Sequence, residues 1–195
     1  MNSKKHRTMS NELKGKKVAI LAANGYEDSE LRSPKEALEN AGATTHIVSL
    51  ERGSIKGWKD GDWHGSIEVD TTVKETTSDA YDALVLPGGV INPDLLRANA
   101  DAVNFVKAFF KQKKPVAAIC HGPWMLAEAG VLDGRGITSY KSIKTDMVNA
   151  GAIWVDDEVV VDEGLVTSRS PKDLPAFNAK LVEEIAEGKH AKQTA

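Results

Sequence analysis

Apolar residues along the chain gather into short uninterrupted runs, and amphipathic segments of helical period lie between them. Charged residues or glycines bound each apolar run, a pattern that predicts strands buried on both faces of a parallel sheet. The predicted strands cover residues 17–23, 44–50, 83–86 and 115–120, and the predicted helices cover 27–42, 101–113, 121–130, 142–150 and 174–187.

Two segments depart from this alternation. Residues 52–72 contain four glycines and two tryptophans, with alternating polarity at 66–69, which predicts a looped hairpin at the edge of the sheet. A second hairpin is predicted at 153–167. Pro34 lies inside the first helical pattern and predicts either a kink there or a later start of that helix.

The order of these elements predicts an α/β protein in which helices cover both faces of a mainly parallel sheet with added β-hairpins. In such sheets, ligands bind beyond the carboxyl ends of the strands. We therefore expect a functional site where three turns meet, at residues 24–28, 87–92 and 120–123.

Composition and charge narrow the class of protein. The 195 residues, 41% hydrophobic and 27% charged, fit one globular domain and neither a disordered nor a disulfide-rich chain. We assign a disordered polar N-terminal tail to residues 1–14, the domain to 15–188 and a polar C-terminal tail to 189–195.

The net charge of -3 arises from interleaved acids and bases, so nucleic acid and anionic membranes are not expected partners. With no apolar signal segment or membrane span in the sequence, we expect a cytoplasmic protein.

Cys120 is the single cysteine of the chain, and it closes a predicted strand directly before His-Gly and a predicted helix. This is the arrangement of a nucleophile elbow, in which a sharp turn lifts a reactive side chain above the sheet. The helix N-terminus is expected to favour the thiolate and lower the thiol pKa. The alternative is a small buried apolar residue, but the tip of a strand favours the reactive role.

Two neighbouring turns offer partners for this sulfur. The N–H groups of Gly89 and His121 are candidates for an oxyanion hole, although Pro87-Gly88-Gly89 is also a sequence suited to a plain structural turn. Glu27 opens the first helix, where it can stabilise the helix end, donate a hydrogen bond to the thiolate when protonated, or act as a general base when ionised. The ring of His121 is a candidate proton carrier, and an orienting role is open as well.

The other histidines do not predict a metal site. His6, His46, His64 and His190 lie in a tail, a strand, a loop and a tail, and none stands at metal-ligand spacing from a carboxylate. We predict no structural zinc and expect no cofactor.

Several ordered motifs resemble one family across residues 16–187. They are GYEDSEL, ALVLPGG, AAICHGP, GVLDGRGITSY, NAGAIWVD, EVVVDEGLVTSRSP and DLPAF. Together they resemble the PfpI branch of the PfpI peptidase and Parkinsonism-associated protein deglycase superfamily, of general stress protein type. The resemblance implies a flavodoxin-like three-layer sandwich and a nucleophile at Cys120. It also implies a carboxylate at Glu27 that forms a hydrogen bond with the sulfur, and an oxyanion hole from Gly89 and His121.

The resemblance also implies a shared site between subunits of a homodimer or larger homo-oligomer. In this branch the histidine pairs with an acid of the neighbouring subunit, and the matching position here is Asp94. The founding peptidase has a glutamate and one residue fewer between the glycines and the acid, so the chain departs from the family pattern at this point.

The resemblance implies cysteine-dependent chemistry on small aldehydes or glycated proteins in stress protection. The expected activities are removal of glyoxal or methylglyoxal adducts, cofactor-free conversion of those aldehydes to hydroxy acids, and, as an alternative, intracellular peptide hydrolysis. In each, the Cys120 thiolate attacks an electrophilic carbon while Glu27 or His121 moves protons. A non-enzymatic alternative is a redox-sensing stress protein or chaperone that uses oxidation of Cys120.

Other functions of similar folds fit the sequence less well. A glutamine amidotransferase needs a later histidine and glutamate, and His190 is the only histidine after His121, in an apparently solvated tail. A flavodoxin-type phosphate loop is disfavoured by the acids that follow the first strand, and a dinucleotide site lacks G-x-G-x-x-G there.

Overall fold

A computed structural model describes residues 11–193 and contains the predicted alternation of strands and helices. The strands are β1 Lys17–Leu21, β2 Tyr26–Glu27, β3 Thr44–Ser49, β4 Ser54–Lys59, β5 Asp62–Glu68, β6 Thr71–Thr72, β7 Ala83–Leu86, β8 Val116–Ile119, β9 Gly136–Ile137, β10 Ile153–Trp154, β11 Val160–Asp162 and β12 Leu165–Ser168. The helices are α1 Asp28–Asn40, α2 Ile91–Arg97, α3 Ala100–Lys111, α4 Trp124–Ala129, α5 Lys144–Asn149 and α6 Leu174–Glu187.

A seven-stranded sheet forms the middle layer, in the order β11-β12-β8-β7-β1-β3-β6. Its strand pairs are parallel except for β11 with β12. Successive residues of β1 alternate between two hydrophobic clusters, Val18 and Ile20 in one and Ala19 and Leu21 in the other. Strands that face a core on both sides have no polar face, which explains their uniformly apolar sequences. The predicted α/β sandwich is confirmed.

Helices cover each face of this sheet. Helices α1 and α6 pack together over one face, and α2, α3 and α4 pack over the other. Helix α1 continues through Pro34, so the proline does not mark the helix start. Helix α2 was not predicted, because its sequence INPDLLR is short and carries a proline.

The predicted hairpin at 52–72 forms, but it does not extend the main sheet. Strands β4 and β5 pair with β2 in a separate three-stranded sheet, and the edge of the main sheet is the short strand β6. Because Glu27 is paired with Trp58 in this small sheet, the hairpin is held beside the first βα turn. The prediction of an edge hairpin was therefore wrong, and its correction places Trp58 near the expected site.

The second predicted hairpin, at 153–167, is also only partly correct. Strands β11 and β12 pair antiparallel, as a hairpin should, but β10 pairs in parallel with β9 in a two-stranded sheet of its own.

The chain ends differ from the predicted tails. Residues 1–10 and 194–195, which include His6 and most of the predicted N-terminal tail, lie outside the described residues. Leu13 is fully buried and donates its N–H to the Ala41 carbonyl, so the ordered structure begins before residue 15. At the other end Gln193 is buried and His190 is half-buried, which corrects the expectation of a wholly solvated C-terminal tail. Among residues 11–193, no helix has the length and apolarity that a membrane span requires.

Candidate active site

Cys120 lies in the sharp turn that follows β8, as predicted. Its φ of 62° is in the left-handed region, a conformation that costs a non-glycine residue on the order of 1–3 kcal/mol. Hydrogen bonds fix this conformation, because the Cys120 N–H donates to Ser168 and its carbonyl accepts from the Tyr140 N–H. Helix α4 begins only at Trp124, so three turn residues separate the sulfur from the helix, a longer turn than the sequence predicted.

Two glycines allow the turn after β7 to approach this sulfur. A Cβ on Gly88 would lie 2.6 Å from the Cys120 Cβ and closer still to Glu30 Oε2. Gly89 has a φ of 78°, and a Cβ there would lie 2.8 Å from the Glu27 nitrogen. The N–H groups of Gly89 and His121 both interact with the Cys120 sulfur. The two donors predicted for an oxyanion hole therefore converge on the nucleophile.

The carboxyl group beside the sulfur belongs to Glu30, which corrects the prediction of Glu27. Glu30 is fully buried, and its Oε2 accepts the Gly88 N–H at 3.0 Å. Its carboxyl also interacts with the Cys120 sulfur, without a hydrogen bond of regular geometry. Glu27 instead caps α1 and accepts the Glu30 N–H at 2.9 Å.

The physical reason for this correction is helix phase. Glu30 precedes Pro34 and Leu38 at intervals of four residues, so all three lie on the buried face of α1. A charged residue on that otherwise apolar stripe was the signal in the sequence that could have identified it. Glu27 stands at the cap, where its carboxylate turns to the N–H groups of the first helical turn.

Burial controls the protonation of the Glu30 and Cys120 pair. Desolvation, with the neighbouring Glu27 carboxylate, raises the pKa of Glu30 to about 8, so this carboxyl carries a proton at neutral pH. Desolvation also raises the pKa of the Cys120 thiol, while the N–H groups of Gly89 and His121 act in the opposite direction. The predicted lowering of the thiol pKa is thus contradicted, because burial outweighs the two N–H groups at the turn. A neutral Glu30 adds no charge repulsion and can donate a hydrogen bond to a thiolate.

His121 is positioned to exchange a proton with the thiol. Its Nδ1 lies 3.2 Å from the Cys120 sulfur, and its Nε2 lies 3.3 Å from Ser142 Oγ. Burial lowers the pKa of His121, which keeps the ring neutral and able to accept a proton, while the charge of Asp146 acts in the opposite direction. The ring is stacked on Tyr140, with ring centroids 4.9 Å apart. Neither Ser142 nor Asp146 was singled out from the sequence, because both lie far from Cys120 along the chain.

A cavity of about 600 Å³ opens above these groups. Its lining includes Glu27, Glu30, Cys120 and His121, and apolar and aromatic side chains form much of its walls. The remaining lining residues are Gly25, Trp58, Gly89, Val90, Ile91, Tyr140, Ser142 and Pro171. A second cavity of about 570 Å³, which contains Lys141 and Arg169, shares Tyr140 and Pro171 with the first. The predicted meeting of three turns is therefore a lined pocket with the thiol at its base.

Four aromatic residues in and around the cavity have different positions. Trp58 and Tyr140 line the cavity. Trp124 packs edge-on against His121, with centroids 5.0 Å apart, and donates its indole N–H to Asp146. Trp63 packs against Trp58 outside the cavity.

Asp94 is not brought to His121 of its own chain. It lies exposed on α2 and pairs with Arg97 at 2.7 Å. Arg97 in turn lies over the Trp124 ring, 4.3 Å from its centroid. The acid is therefore positioned on the outer surface beside the pocket, and the expected role in a neighbouring subunit remains a prediction.

Chemically, the arrangement is suited to nucleophilic attack and proton transfer. A thiol, a neutral imidazole, a protonated carboxyl and two backbone donors lie around one point, and the apolar walls strengthen their electrostatic interactions.

Comparison with known proteins places the chain in one family. The model of the DJ-1/PfpI family matches residues 16–184. Deglycase PH1704 of Pyrococcus horikoshii is 48% identical over 167 residues, covering 85% of this chain and 97% of that protein. General stress protein 18 of Bacillus subtilis is 47% identical over 165 residues, covering 84% of this chain and 94% of that protein.

A solved structure agrees with this result. Drosophila melanogaster DJ-1beta superposes with a TM-score of 0.80 at 32% identity, over 88% of this chain and 90% of that one. The flavodoxin-like sandwich implied by the sequence motifs is confirmed, and the chain belongs to the DJ-1/PfpI family.

Proposed function

We propose that this protein is a cysteine-dependent hydrolase that removes glyoxal- or methylglyoxal-derived adducts from amines. One observation carries the proposal: Cys120 lies among a neutral histidine 3.2 Å away, a protonated buried carboxyl and two converging N–H donors. The names of two relatives, a deglycase and a general stress protein, support the same chemistry.

In the proposed reaction, His121 accepts the thiol proton as the Cys120 sulfur bonds to the carbinolamine carbon of the adduct and the bond from that carbon to the amine breaks. The N–H groups of Gly89 and His121 stabilise the negative charge that the neighbouring carbonyl oxygen gains in the enediol step that follows. Glu30 donates a hydrogen bond to the sulfur and limits the charge on it before and after attack.

The proton held by His121 passes to the departing amine, which leaves a hemithioacetal on the Cys120 sulfur. His121 then carries a proton from the sulfur-bearing carbon to the neighbouring carbonyl carbon through an enediol, so that a thioester forms. Water hydrolyses the thioester, which releases a 2-hydroxy acid and restores the thiol. One carbon of the dicarbonyl unit is oxidised to the acid while its neighbour is reduced to the alcohol. The overall reaction is therefore redox-neutral, and it needs no external oxidant or cofactor.

The size of the pocket favours an adduct over a free aldehyde. A cavity of about 600 Å³ lies in the range of pockets that hold drug-sized ligands, well beyond a three-carbon aldehyde. The adjoining cavity beyond Tyr140 and Pro171 offers room for the peptide that carries the adduct.

The proposal includes a shared site in a homodimer or larger homo-oligomer. Asp94 is exposed on α2, whose first residue lines the pocket, and Val90, Ile91 and Leu95 of the same segment expose apolar side chains. An apolar patch around a charged residue suits an interface with a second copy. There Asp94 would stabilise the His121 imidazolium of the neighbouring subunit.

The test compares the parent protein with Cys120→Ser on three substrates: methylglyoxal, a methylglyoxal-treated peptide and a fluorogenic peptide. We expect the parent to release free amine and a hydroxy acid from the treated peptide, and Cys120→Ser to lose at least about 10³-fold in kcat/KM. Cleavage of the fluorogenic peptide alone would instead identify a peptidase. Equal turnover by Cys120→Ser would remove the cysteine from the mechanism.

The role of the neighbouring subunit is tested separately. Asp94→Asn should lower kcat/KM without changing the monomer fold, and sedimentation should show a dimer or larger assembly of the parent. Unchanged activity and assembly in Asp94→Asn would remove Asp94 from the site.

A further inference from the structure

A cluster of side chains that could bind a metal ion lies at the C-terminal end of α6, away from the pocket. Ligand atoms of Glu184, Glu187 and His190 all lie within 4.8 Å of one another. The two glutamates share one face of the helix, three residues apart. Gly188, with a φ of 88°, then turns the chain back, which brings the ring of His190 over the same face.

Glu184 is the most informative member of this cluster, because it is buried and its ion pair with His190 lacks the geometry of a hydrogen bond. The residue is 6% exposed, and its Oε2 lies 3.1 Å from His190 Nε2. The geometry at that distance does not form a hydrogen bond, and both atoms are buried with no other hydrogen-bond partner within residues 11–193. A buried polar atom without a partner costs about 1–3 kcal/mol, so two facing each other need an explanation.

The histidine is held in place by contacts outside the cluster. Its backbone N–H donates to the Lys113 carbonyl at 3.0 Å, and its carbonyl accepts the Gln193 N–H. Its ring lies against Gly164 in the β11–β12 turn, where an added Cβ would approach the ring carbon Cδ2 to 2.6 Å. The side chain of Lys113 also donates to the Ala191 carbonyl. The imidazole is thus positioned before any ligand arrives.

A shared cation accounts for these features together. Zinc binds imidazole nitrogen and carboxylate oxygen at about 2.0–2.2 Å, so two of its ligands lie roughly 3 Å apart, as Glu184 and His190 do. Glu187 is exposed and can adjust its side chain to bring in an oxygen as the third ligand. The nitrogen ligand favours a transition metal over calcium or magnesium, which prefer oxygen ligands alone.

We propose that Glu184, Glu187 and His190 form a binding site for a divalent transition metal such as Zn²⁺, which joins the chain after Gly188 to α6 and to the β11–β12 turn. None of the three residues lines the pocket of Cys120, so the metal has a structural role and takes no part in the reaction. The sequence analysis predicted no structural zinc and placed His190 in a solvated tail, so the proposed site departs from that prediction.

The test measures binding of ZnCl2 to the full, untagged chain by calorimetry. It uses a Cys120→Ser background so that the thiol and His121 do not form a competing site. We expect one equivalent of Zn²⁺ to bind and to raise the Tm, since a ligand that binds only the folded state stabilises it. His190→Ala and Glu187→Gln should each weaken binding at least about 10-fold.

The controls are His64→Ala and His46→Ala, which remove described histidines outside the cluster and should leave Zn²⁺ binding unchanged. Glu187 is exposed, so Glu187→Gln keeps the test valid if His190→Ala does not fold. No Zn²⁺ binding by the Cys120→Ser protein, or equal binding by Glu187→Gln and the controls, would overturn the proposal.

Discussion

Glu30 and Glu184 are both buried glutamates, one near the start of a helix and the other near the end of one. Glu30 accepts a backbone N–H from Gly88 and lies beside the reactive sulfur. Glu184 faces a histidine without forming a hydrogen bond. Glu30 holds a proton, with Oε2 bonded to Gly88 and Oε1 without a hydrogen-bond partner among residues 11–193, whereas Glu184 faces the His190 ring, where we propose a cation. Burial of the same side chain thus supports acid chemistry in one region and metal binding in the other.

The largest expected effect is a loss of kcat/KM, and it tests whether Glu30 or Glu27 is the acid beside the Cys120 sulfur. Glu30→Gln keeps the size of the side chain but removes its acid, and we expect kcat/KM on the glycated peptide to fall about 100-fold. Glu27→Gln retains an oxygen that can cap α1, so a change within about threefold is expected. Steady-state kinetics at neutral pH measure both. A larger loss in Glu27→Gln than in Glu30→Gln would return the acid role to Glu27.

The second prediction concerns pH. The pKa of Glu30 is raised from 4.5 to about 8, so the folded state keeps a proton that the unfolded chain releases between those values. The free energy of unfolding should therefore fall as pH rises from about 4.5 to 8, by on the order of a few kcal/mol. Denaturant titrations across this range should show a flatter profile for Glu30→Gln.

The same pKa gives an activity test. Above about pH 8 the Glu30 carboxylate would repel a thiolate, so kcat/KM should decline there. Because Glu27 contributes to the raised pKa of Glu30, Glu27→Gln should move this decline to lower pH. If kcat/KM of Glu27→Gln declined at the same pH as that of the parent, the ionisation of Glu30 would not be the cause of the decline.

The third prediction tests the close approach between Glu30 and the sulfur. Gly88→Ala would place a methyl group 2.6 Å from the Cys120 Cβ and closer to Glu30 Oε2, which forces these side chains apart. We expect a loss of about 1–3 kcal/mol in the free energy of unfolding, together with lower activity. Gly134→Ala is a control for removing a glycine, since open space surrounds its Cβ position while its φ of 72° carries backbone strain. A loss in Gly88→Ala no larger than in the control would contradict the packing argument.

The smallest expected effect is a change in the free energy of unfolding, and it concerns the cluster of Glu184, Glu187 and His190. In buffer that contains a chelator, Glu187→Gln should change the free energy of unfolding by less than about 0.5 kcal/mol, because the residue is exposed. In Zn²⁺ it should fail to gain the stability that the parent gains. Equal gains in both proteins would show that any bound zinc lies elsewhere.

Much of the fold could be predicted because its signals are local. Apolar runs bounded by glycines located the central strands, and the junction of such a run with His-Gly located the elbow at Cys120. Short pieces were harder to predict. Helix α2 has seven residues, and β9 and β10 have two each, so periodicity cannot distinguish them from loops.

By itself, the sequence determined the α/β layers, the rim at which the site forms, the cysteine at its centre and, through ordered motifs, the family. Only the tertiary structure decided which glutamate of the first turn reaches the sulfur, because helix phase directs Glu30 inward and leaves Glu27 at the cap. It also decided that the thiol is buried and that His190 folds back over α6. Such choices depend on contacts between residues distant in the chain, which local patterns do not encode.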